Sequence, residues 1–113
     1  MDGATRGFSV GAAAEAVATV VYSARALAHI ERAFSFLCEE NPETARAAVR
    51  AIQTAIDGLA THPLIGRRVQ DELRELVISY GRTGYIAIYR FVVPKDEVRV
   101  LAIRHQRELG YIP

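Results

Sequence analysis

The side chains of this sequence best suited to chemistry are arginines, a histidine and a tyrosine in its C-terminal half. A guanidinium binds phosphate or carboxylate through a planar fork of donors, and it stabilises developing negative charge. His or Tyr can act as a general acid or base. Such a set suits metal-free cleavage of RNA, in which the 2′-hydroxyl is the nucleophile. Its members are Arg67, Arg68, Arg74, Arg82, Arg90, Arg99, Arg104, His105, Arg107 and Tyr111.

A structural interpretation of the same residues stays open beside the catalytic one. For any single arginine, a solvated position or an ion pair with a nearby Glu is the simpler explanation. His105 follows the last predicted strand, whereas His29 lies in the middle of a predicted helix and His62 in a Pro-bounded turn. His105 is therefore the histidine that we carry forward, with a functional and a structural role both open.

Several kinds of catalytic or cofactor site are absent from the sequence. It has no P-loop, no GxGxxG segment and no nucleophile elbow. Its three histidines are too far apart in sequence to match the spacing of a metal site. Cys38 borders an apolar helical stripe, so we expect a buried structural thiol. We expect neither a metal nor a small-molecule cofactor.

The charge is nearly balanced overall but unevenly distributed. Fourteen basic and thirteen acidic residues give a net charge of +1, and all the basic residues except Lys95 are Arg. Residues 1–65 hold five Arg against seven acids, a net charge of −2; residues 66–113 hold nine basic residues against six acids, a net charge of +3. An acidic partner or a polyanion is therefore expected to bind the second half.

Length and composition indicate one small globular domain. The chain has 113 residues, half of them hydrophobic, which excludes a disordered or low-complexity protein. No apolar run approaches the roughly 18 residues of a membrane span, so we expect no membrane association. A single cysteine cannot form an internal disulfide, which predicts a reducing, cytoplasmic location.

The first half of the chain predicts a short strand followed by two helices. Residues 19–22 are β-prone, and Ser23 suits the N-cap of a helix. Asn41 and Pro42 predict a second helix start. Apolar residues then recur at helical spacing in both segments, which predicts an antiparallel hairpin. The two stripes are Leu27, Ile30, Phe34 and Leu37, then Ala45, Val49, Ile52, Ile56 and Leu59.

The second half predicts three strands joined by tight turns. They span residues 73–79, 85–93 and 98–103, and residues 81–84 and 94–97 form the turns. Simple alternation in the last strand places Arg99 on the face opposite Val98, Val100 and Ala102. The predicted fold is α+β, in the order β-α-α-β-β-β: a helical hairpin packed on one face of a small, mainly antiparallel sheet. The other face would be free for a ligand or partner.

Four segments in this order resemble the RelE/ParE toxin superfamily. They are HPLIGR at residues 62–67, ELREL at 72–76, GYIAIYR at 84–90 and VRVLAIRHQRE at 98–108. Residues 22–27 resemble the family's first strand entering its first helix. The resemblance covers residues 19–111 and marks 18–113 as the toxin domain, with residues 1–17 as a leader.

The resemblance implies the toxin of a bacterial type II toxin–antitoxin module, often a plasmid-stabilisation system, neutralised by a cognate antitoxin that wraps around it. RelE-like members are ribosome-dependent mRNA endonucleases that need no metal. ParE-like members inhibit DNA gyrase and are not nucleases. A nuclease would use His105, Arg107 and Tyr111 as catalytic residues. Target or phosphate binding would fall to Arg74, Arg82, Arg90 and Arg104.

Two departures from the nuclease pattern favour the ParE-like branch. Many nuclease members carry an Arg where this chain has Ile86, and the Lys-rich clamp is missing because the only Lys is in a turn. The Ala-rich hairpin and the HPxxGR segment also resemble ParE. An alternative to both toxin branches is a non-toxic module that binds RNA or protein. It would need either stacking aromatics on its sheet or a strongly basic stripe. Tyr85, Tyr89 and Phe91 alternate on one side of the middle strand, but we expect them to pack in the core.

Overall fold

A computed structural model describes residues 17–80 and 83–106. Strand β1 (Thr19–Tyr22) leads into helices α1 (Ala24–Glu40) and α2 (Pro42–Asp57), and a short 3-10 turn (Gly58–Ala60) follows. The remaining strands are β2 (Arg67–Gln70), β3 (Leu73–Tyr80), β4 (Thr83–Val92) and β5 (Glu97–His105), with a 3-10 turn at Val93–Lys95. The predicted leader lies almost wholly outside the described residues, as does part of the predicted 81–84 turn. None of the described helices is long and apolar enough to cross a membrane.

Both helices begin where the sequence predicted. The Ser23 hydroxyl accepts a hydrogen bond from the Ala26 N–H at 2.9 Å and donates to the Leu101 carbonyl at 3.1 Å, so it both caps α1 and ties it to β5. The Asn41 side chain accepts from the N–H groups of Glu43 and Thr44, which caps α2. These caps satisfy amides that have no partner within the helix.

The sheet has the order β1-β5-β4-β3-β2, and both helices cover one of its faces. Three of the four strand pairings are antiparallel, and β1 pairs with β5 in parallel. The predicted α+β fold is confirmed, with one addition. Strand β2 was not predicted because it is an edge strand with every residue exposed, and so it has no apolar alternation.

The core lies between the helices and the sheet. It includes Ile52 and Ile56 of α2, Tyr89 of β4, and Val98 and Val100 of β5, all completely buried. Tyr85 is also buried and Phe91 packs against the core cluster, which confirms their expected core packing.

Helix α1 buries its predicted apolar stripe in part, with Ile30 in the core as expected. Ala26 is fully buried and Ala33 packs against the core, whereas Leu27 is 49% exposed. Alanines let the α1 backbone approach the sheet closely, and Leu27 is left at the flank of the contact.

A β-bulge in β5 changes which residues share a face. Ile88 pairs with Ala102 but Tyr89 pairs with Val100, so Leu101 is the extra residue. Beyond the bulge Ile103 and His105 project to the helix face, with Val98 and Val100. The predicted grouping of Ala102 with Val98 and Val100 is therefore wrong, because alternation is interrupted at Leu101.

Candidate functional site

The outer face, meaning the sheet face opposite the helices, is aliphatic at its centre. The β-pairing aligns Arg104, Ile86 and Val77 in one row and Ala102, Ile88 and Glu75 in the next. Ile86 and Ala102 are buried, whereas Val77 is 57% exposed. The sequence had suggested that this whole face would be free for a ligand or partner. The structure shows instead that only part of it is open.

Four arginines surround this aliphatic centre, and two of them are neutralised. Arg67 contacts the Glu75 carboxylate at 2.8 Å, and Arg99 contacts Glu97 at the same distance. Arg90 and Arg104 are exposed, and among the described residues no carboxylate lies within ion-pair distance of either. Because Arg90 is opposite Arg99 in the strand pairing and Arg104 lies beyond the bulge, the free charges are spread out instead of converging.

The described histidine and tyrosine side chains of the sheet lie on the other face. Tyr85 and His105 are opposite each other and meet edge to face, with ring centroids 5.3 Å apart. Tyr80 reaches α2, where its hydroxyl donates to the Thr44 carbonyl at 3.3 Å. Tyr89 points into the core. The bulge at Leu101 is what moves His105 away from the side of the sheet that carries Arg90.

A second feature is the α1–β5 groove, a cleft of about 750 Å³ between α1 and the end of β5. Helix α1 contributes a stripe with a spacing of four, three and four residues, which is one helical face. Arg104 and His105 border the groove at the end of β5. The stripe is Arg25, His29, Arg32 and Phe36.

His29 connects the two walls of the groove. Its Nδ1 accepts a hydrogen bond from the Ile103 N–H at 3.1 Å, at the edge of β5 beyond the last β1 pairing. From the sequence, His29 was a mid-helix residue with no predicted role in a site. Its spacing from Arg25 and Arg32 was the available signal, but its partner is 74 residues away and could not be inferred.

Arg74 and Tyr89 hold the segment between α2 and β2. The Arg74 guanidinium donates to the carbonyls of Leu64 at 3.1 Å and Gly66 at 2.8 Å. The Tyr89 hydroxyl accepts from the Gly66 N–H at 2.9 Å and donates to the Pro63 carbonyl at 2.8 Å. Burial raises the pKa of the Tyr89 phenol, and the Gly66 hydrogen bond and the nearby Arg74 charge offset only part of that rise.

The seven predicted site residues do not form one described cluster. His105 and Arg104 are neighbours at the groove, Arg90 lies on the outer face, and Arg74 is occupied by two carbonyls. Arg82, Arg107 and Tyr111 lie outside the described residues, so their roles stay predictions. Within residues 17–80 and 83–106, no group of three or more His, Cys, Asp or Glu side chains is arranged to hold a metal.

Comparison with known proteins agrees with the fold and the sequence pattern. Residues 20–110 match the family model described as the ParE toxin of the type II toxin–antitoxin system parDE. The chain is 37% identical over 73 residues to toxin RelE3 of Caulobacter vibrioides, covering 65% of this chain and 77% of that toxin. It is 32% identical over 90 residues to toxin RelE1 of the same organism, covering 80% of this chain and 95% of the relative.

A solved structure shares the same architecture. The chromosomal ParDE toxin–antitoxin system from P. aeruginosa superimposes with a TM-score of 0.64 at 19% identity, covering 80% of this chain and 98% of that one. At that identity the likeness concerns the fold alone. The names of these relatives come from both branches of the superfamily, so they do not identify a target.

Proposed function

This chain belongs to the ParE toxin family of type II toxin–antitoxin systems, and from that premise we propose that it arrests growth by ParE-like inhibition of DNA gyrase. We include in the proposal a cognate antitoxin that neutralises it, as the P. aeruginosa neighbour is itself a toxin–antitoxin system. Under this proposal the toxin recognises a protein and catalyses no RNA cleavage.

The observation that carries the proposal is the aliphatic centre of the outer face. Cleavage through the 2′-hydroxyl needs cations that converge on one phosphate and an acid and a base beside it. Ile86, Ile88 and Val77 occupy the middle of this face, and the charges of Arg67 and Arg99 are already neutralised by glutamates. An aliphatic surface with arginines at its border fits a protein target better than a phosphate.

The position of His105 supports the same conclusion. His105 is the best acid–base candidate of the described residues, yet it lies against Tyr85 on the helix face, away from Arg90 and Arg99. A nuclease would therefore have to rely on Tyr111 for proton transfer and on Arg107 for charge stabilisation, and both belong to the segment beyond the described residues.

The test compares the two targets with one protein preparation. We expect the purified full chain to inhibit supercoiling by DNA gyrase and to leave messenger RNA intact on programmed ribosomes. Arg107→Ala and Tyr111→Phe variants separate the branches, because they should abolish any RNA cutting while leaving gyrase inhibition measurable. Growth arrest with a DNA-damage response and intact messenger RNA is the expected effect in cells.

The RelE-like nuclease is the second candidate, supported by the names of the curated relatives. Ribosome-dependent cutting that disappears in Arg107→Ala, without any effect on gyrase, would establish it and exclude the ParE-like proposal. Absence of growth arrest in several bacterial hosts would instead favour a binding module that has lost toxicity.

A further inference from the structure

We propose that Leu64 and Ile65 form the apolar anchor by which this chain binds its protein target. They belong to the 61–66 loop, which joins the 3-10 turn after α2 to strand β2. The inference rests on the proposed function for the identity of the target, DNA gyrase, and it adds which side chains make the contact. The matching site is an apolar pocket on that target with carboxylates at its rim.

The first argument is the exposure of these aliphatic side chains. Leu64 is 57% exposed and its neighbour Ile65 is 65% exposed. In the β2–β3 pairing Arg67 lies opposite Glu75, so Val77 lies further along β3 toward the loop, and it is 57% exposed on the outer face. Single exposed apolar residues need no explanation, but three at one corner of a sheet indicate a contact surface that continues from the outer face.

The second argument is that the loop backbone is fixed. The Tyr89 hydroxyl and the Arg74 guanidinium together hydrogen-bond the backbone of Pro63, Leu64 and Gly66. Binding orders a flexible loop at a cost in conformational entropy, and a loop that is already held in the free protein avoids most of that cost. The aliphatic side chains are therefore presented to solvent on a preorganised backbone, as a binding anchor requires.

The third argument is the charge beside the loop, which favours an acidic rim on the partner. Arg67 and Arg68 follow the loop directly, and both are exposed. Arg67 pairs with Glu75, but its side chain is 74% exposed whereas that of Glu75 is 15% exposed, so the guanidinium is the part that a partner meets. No described carboxylate lies within ion-pair distance of Arg68. Carboxylates on the target would match these guanidinium forks.

The composition of the loop argues against other occupants. Residues 61–66 hold no Phe, Tyr or Trp on which the bases of a single strand could stack. A second copy of the chain would bring its own exposed Arg67 and Arg68 against the same pair, and like charges repel. Two aliphatic side chains also offer a membrane less apolar surface than one myristoyl chain, which by itself binds only marginally. A protein pocket is the partner that remains.

The experiment measures inhibition of gyrase supercoiling by the purified full chain, as a half-inhibitory concentration. The test variants are Leu64→Ser and Ile65→Ser, and Leu64→Met and Ile65→Val retain an apolar side chain at each position. The matched control is Val93→Ser, which removes an aliphatic side chain that is 69% exposed in the turn between β4 and β5. Urea midpoints of all the variants check that each is folded.

We expect each serine variant to raise the half-inhibitory concentration roughly tenfold, because it withdraws an aliphatic side chain that is buried in the complex. Leu64→Met and Ile65→Val should keep most of the inhibition, since volume and apolarity are nearly conserved. Val93→Ser should inhibit as the wild type does.

The acidic rim is tested separately by reversing one charge. Arg68→Glu should weaken inhibition more at low than at high salt, because pairs at the edge of an interface are screened. Arg50→Glu reverses an exposed charge on α2 and is the matched control. Equal effects of these two variants would refute the rim.

Three results overturn the anchor. They are unchanged half-inhibitory concentrations in both serine variants, an equal loss in Val93→Ser, and sedimentation of the wild type but not of the serine variants with anionic phospholipid vesicles. The last result would identify Leu64 and Ile65 as a membrane contact.

Growth arrest in cells separates this inference from the proposed target. A wild-type chain that does not inhibit gyrase refutes the proposed function, and the anchor is then tested by arrest at matched protein levels. Loss of arrest in the two serine variants alone, with messenger RNA intact in cells that express the wild type, would support an anchor for another protein. Full arrest by both serine variants would refute the anchor.

Discussion

The Tyr89 hydroxyl accepts the Gly66 N–H at 2.9 Å, and this contact anchors the segment between α2 and β2 to the middle of the sheet. The same hydroxyl donates to the Pro63 carbonyl, and Arg74 donates to two more carbonyls of the segment. These hydrogen bonds give much of the HPLIGR segment, residues 62–67, a structural role as a loop that is anchored to the sheet. It leaves Leu64 and Ile65 exposed while several of its backbone groups are hydrogen-bonded within the protein.

We predict that Gly66→Ala destabilises the fold by about 1–3 kcal/mol. A Cβ at this position would lie 2.6 Å from the Tyr89 hydroxyl oxygen and 2.8 Å from the Glu75 carbonyl oxygen, so the loop or the strand must move. Gly58→Ala is the matched control, because nothing lies within 4 Å of its Cβ position. Urea denaturation of both variants checks the difference, and equal midpoints would show that the loop can relax freely.

We predict that Tyr89→Phe costs about 1–3 kcal/mol of unfolding free energy, since it leaves the buried Gly66 N–H and the Pro63 carbonyl without their partner. Tyr80→Phe is the control: it removes one longer hydrogen bond, of 3.3 Å, from a partly exposed tyrosine. Thermal unfolding followed by circular dichroism should give a clearly lower melting temperature for Tyr89→Phe than for Tyr80→Phe. A similar loss in both would contradict the central role of Tyr89.

Stability should fall at alkaline pH because of one buried and one partly buried phenol. Burial raises the pKa of Tyr89 and of Tyr22, and the Asp57 carboxylate adds to the rise at Tyr22. Unfolded tyrosine ionises near pH 10, so the unfolded chain loses these protons first. The contribution of these phenols to the unfolding free energy is complete below about pH 10. It is lost as the pH rises through the higher folded-state pKa values. Unfolding free energies across this range should fall less steeply in Tyr89→Phe, and parallel slopes would contradict the assignment.

His29→Ala should destabilise the contact between α1 and β5 by about 1–3 kcal/mol, because the Ile103 N–H loses its acceptor. His29→Asn offers an amide oxygen near the position of Nδ1 and should recover part of the loss. Hydrogen exchange at the Ile103 amide gives a direct measurement: fast exchange in the Ala variant and slower exchange in the Asn variant. Unchanged protection in His29→Ala would show that the imidazole is not the effective acceptor.

Local features of the fold could be predicted because their causes are local. The Ser23 and Asn41 caps depend on residues within three positions, and the helices and the three longer strands follow from apolar periodicity. Strand β2 could not be predicted, since an exposed edge strand is defined by its pairing with β3 and not by its own pattern.

The candidate site depended more on tertiary structure. Arg90 and Arg104 could be expected on the sheet, but the sequence could not show that Arg74 is used on the Leu64 and Gly66 carbonyls. The α1 stripe of Arg25, His29 and Arg32 was not predicted, because helical periodicity was visible in the apolar residues and these three side chains lie on another face of the helix. Its partners at the end of β5 lie far along the chain.

What the sequence alone determined is the family, the order of the elements and the excess of basic residues in the second half. What only the tertiary structure decided is which face each functional side chain occupies. The extra residue at Leu101 reverses alternation and places His105 against Tyr85 on the helix face, instead of on the face that carries Arg99. A bulge is a property of the pairing between two strands, and so neither strand's sequence specifies it by itself.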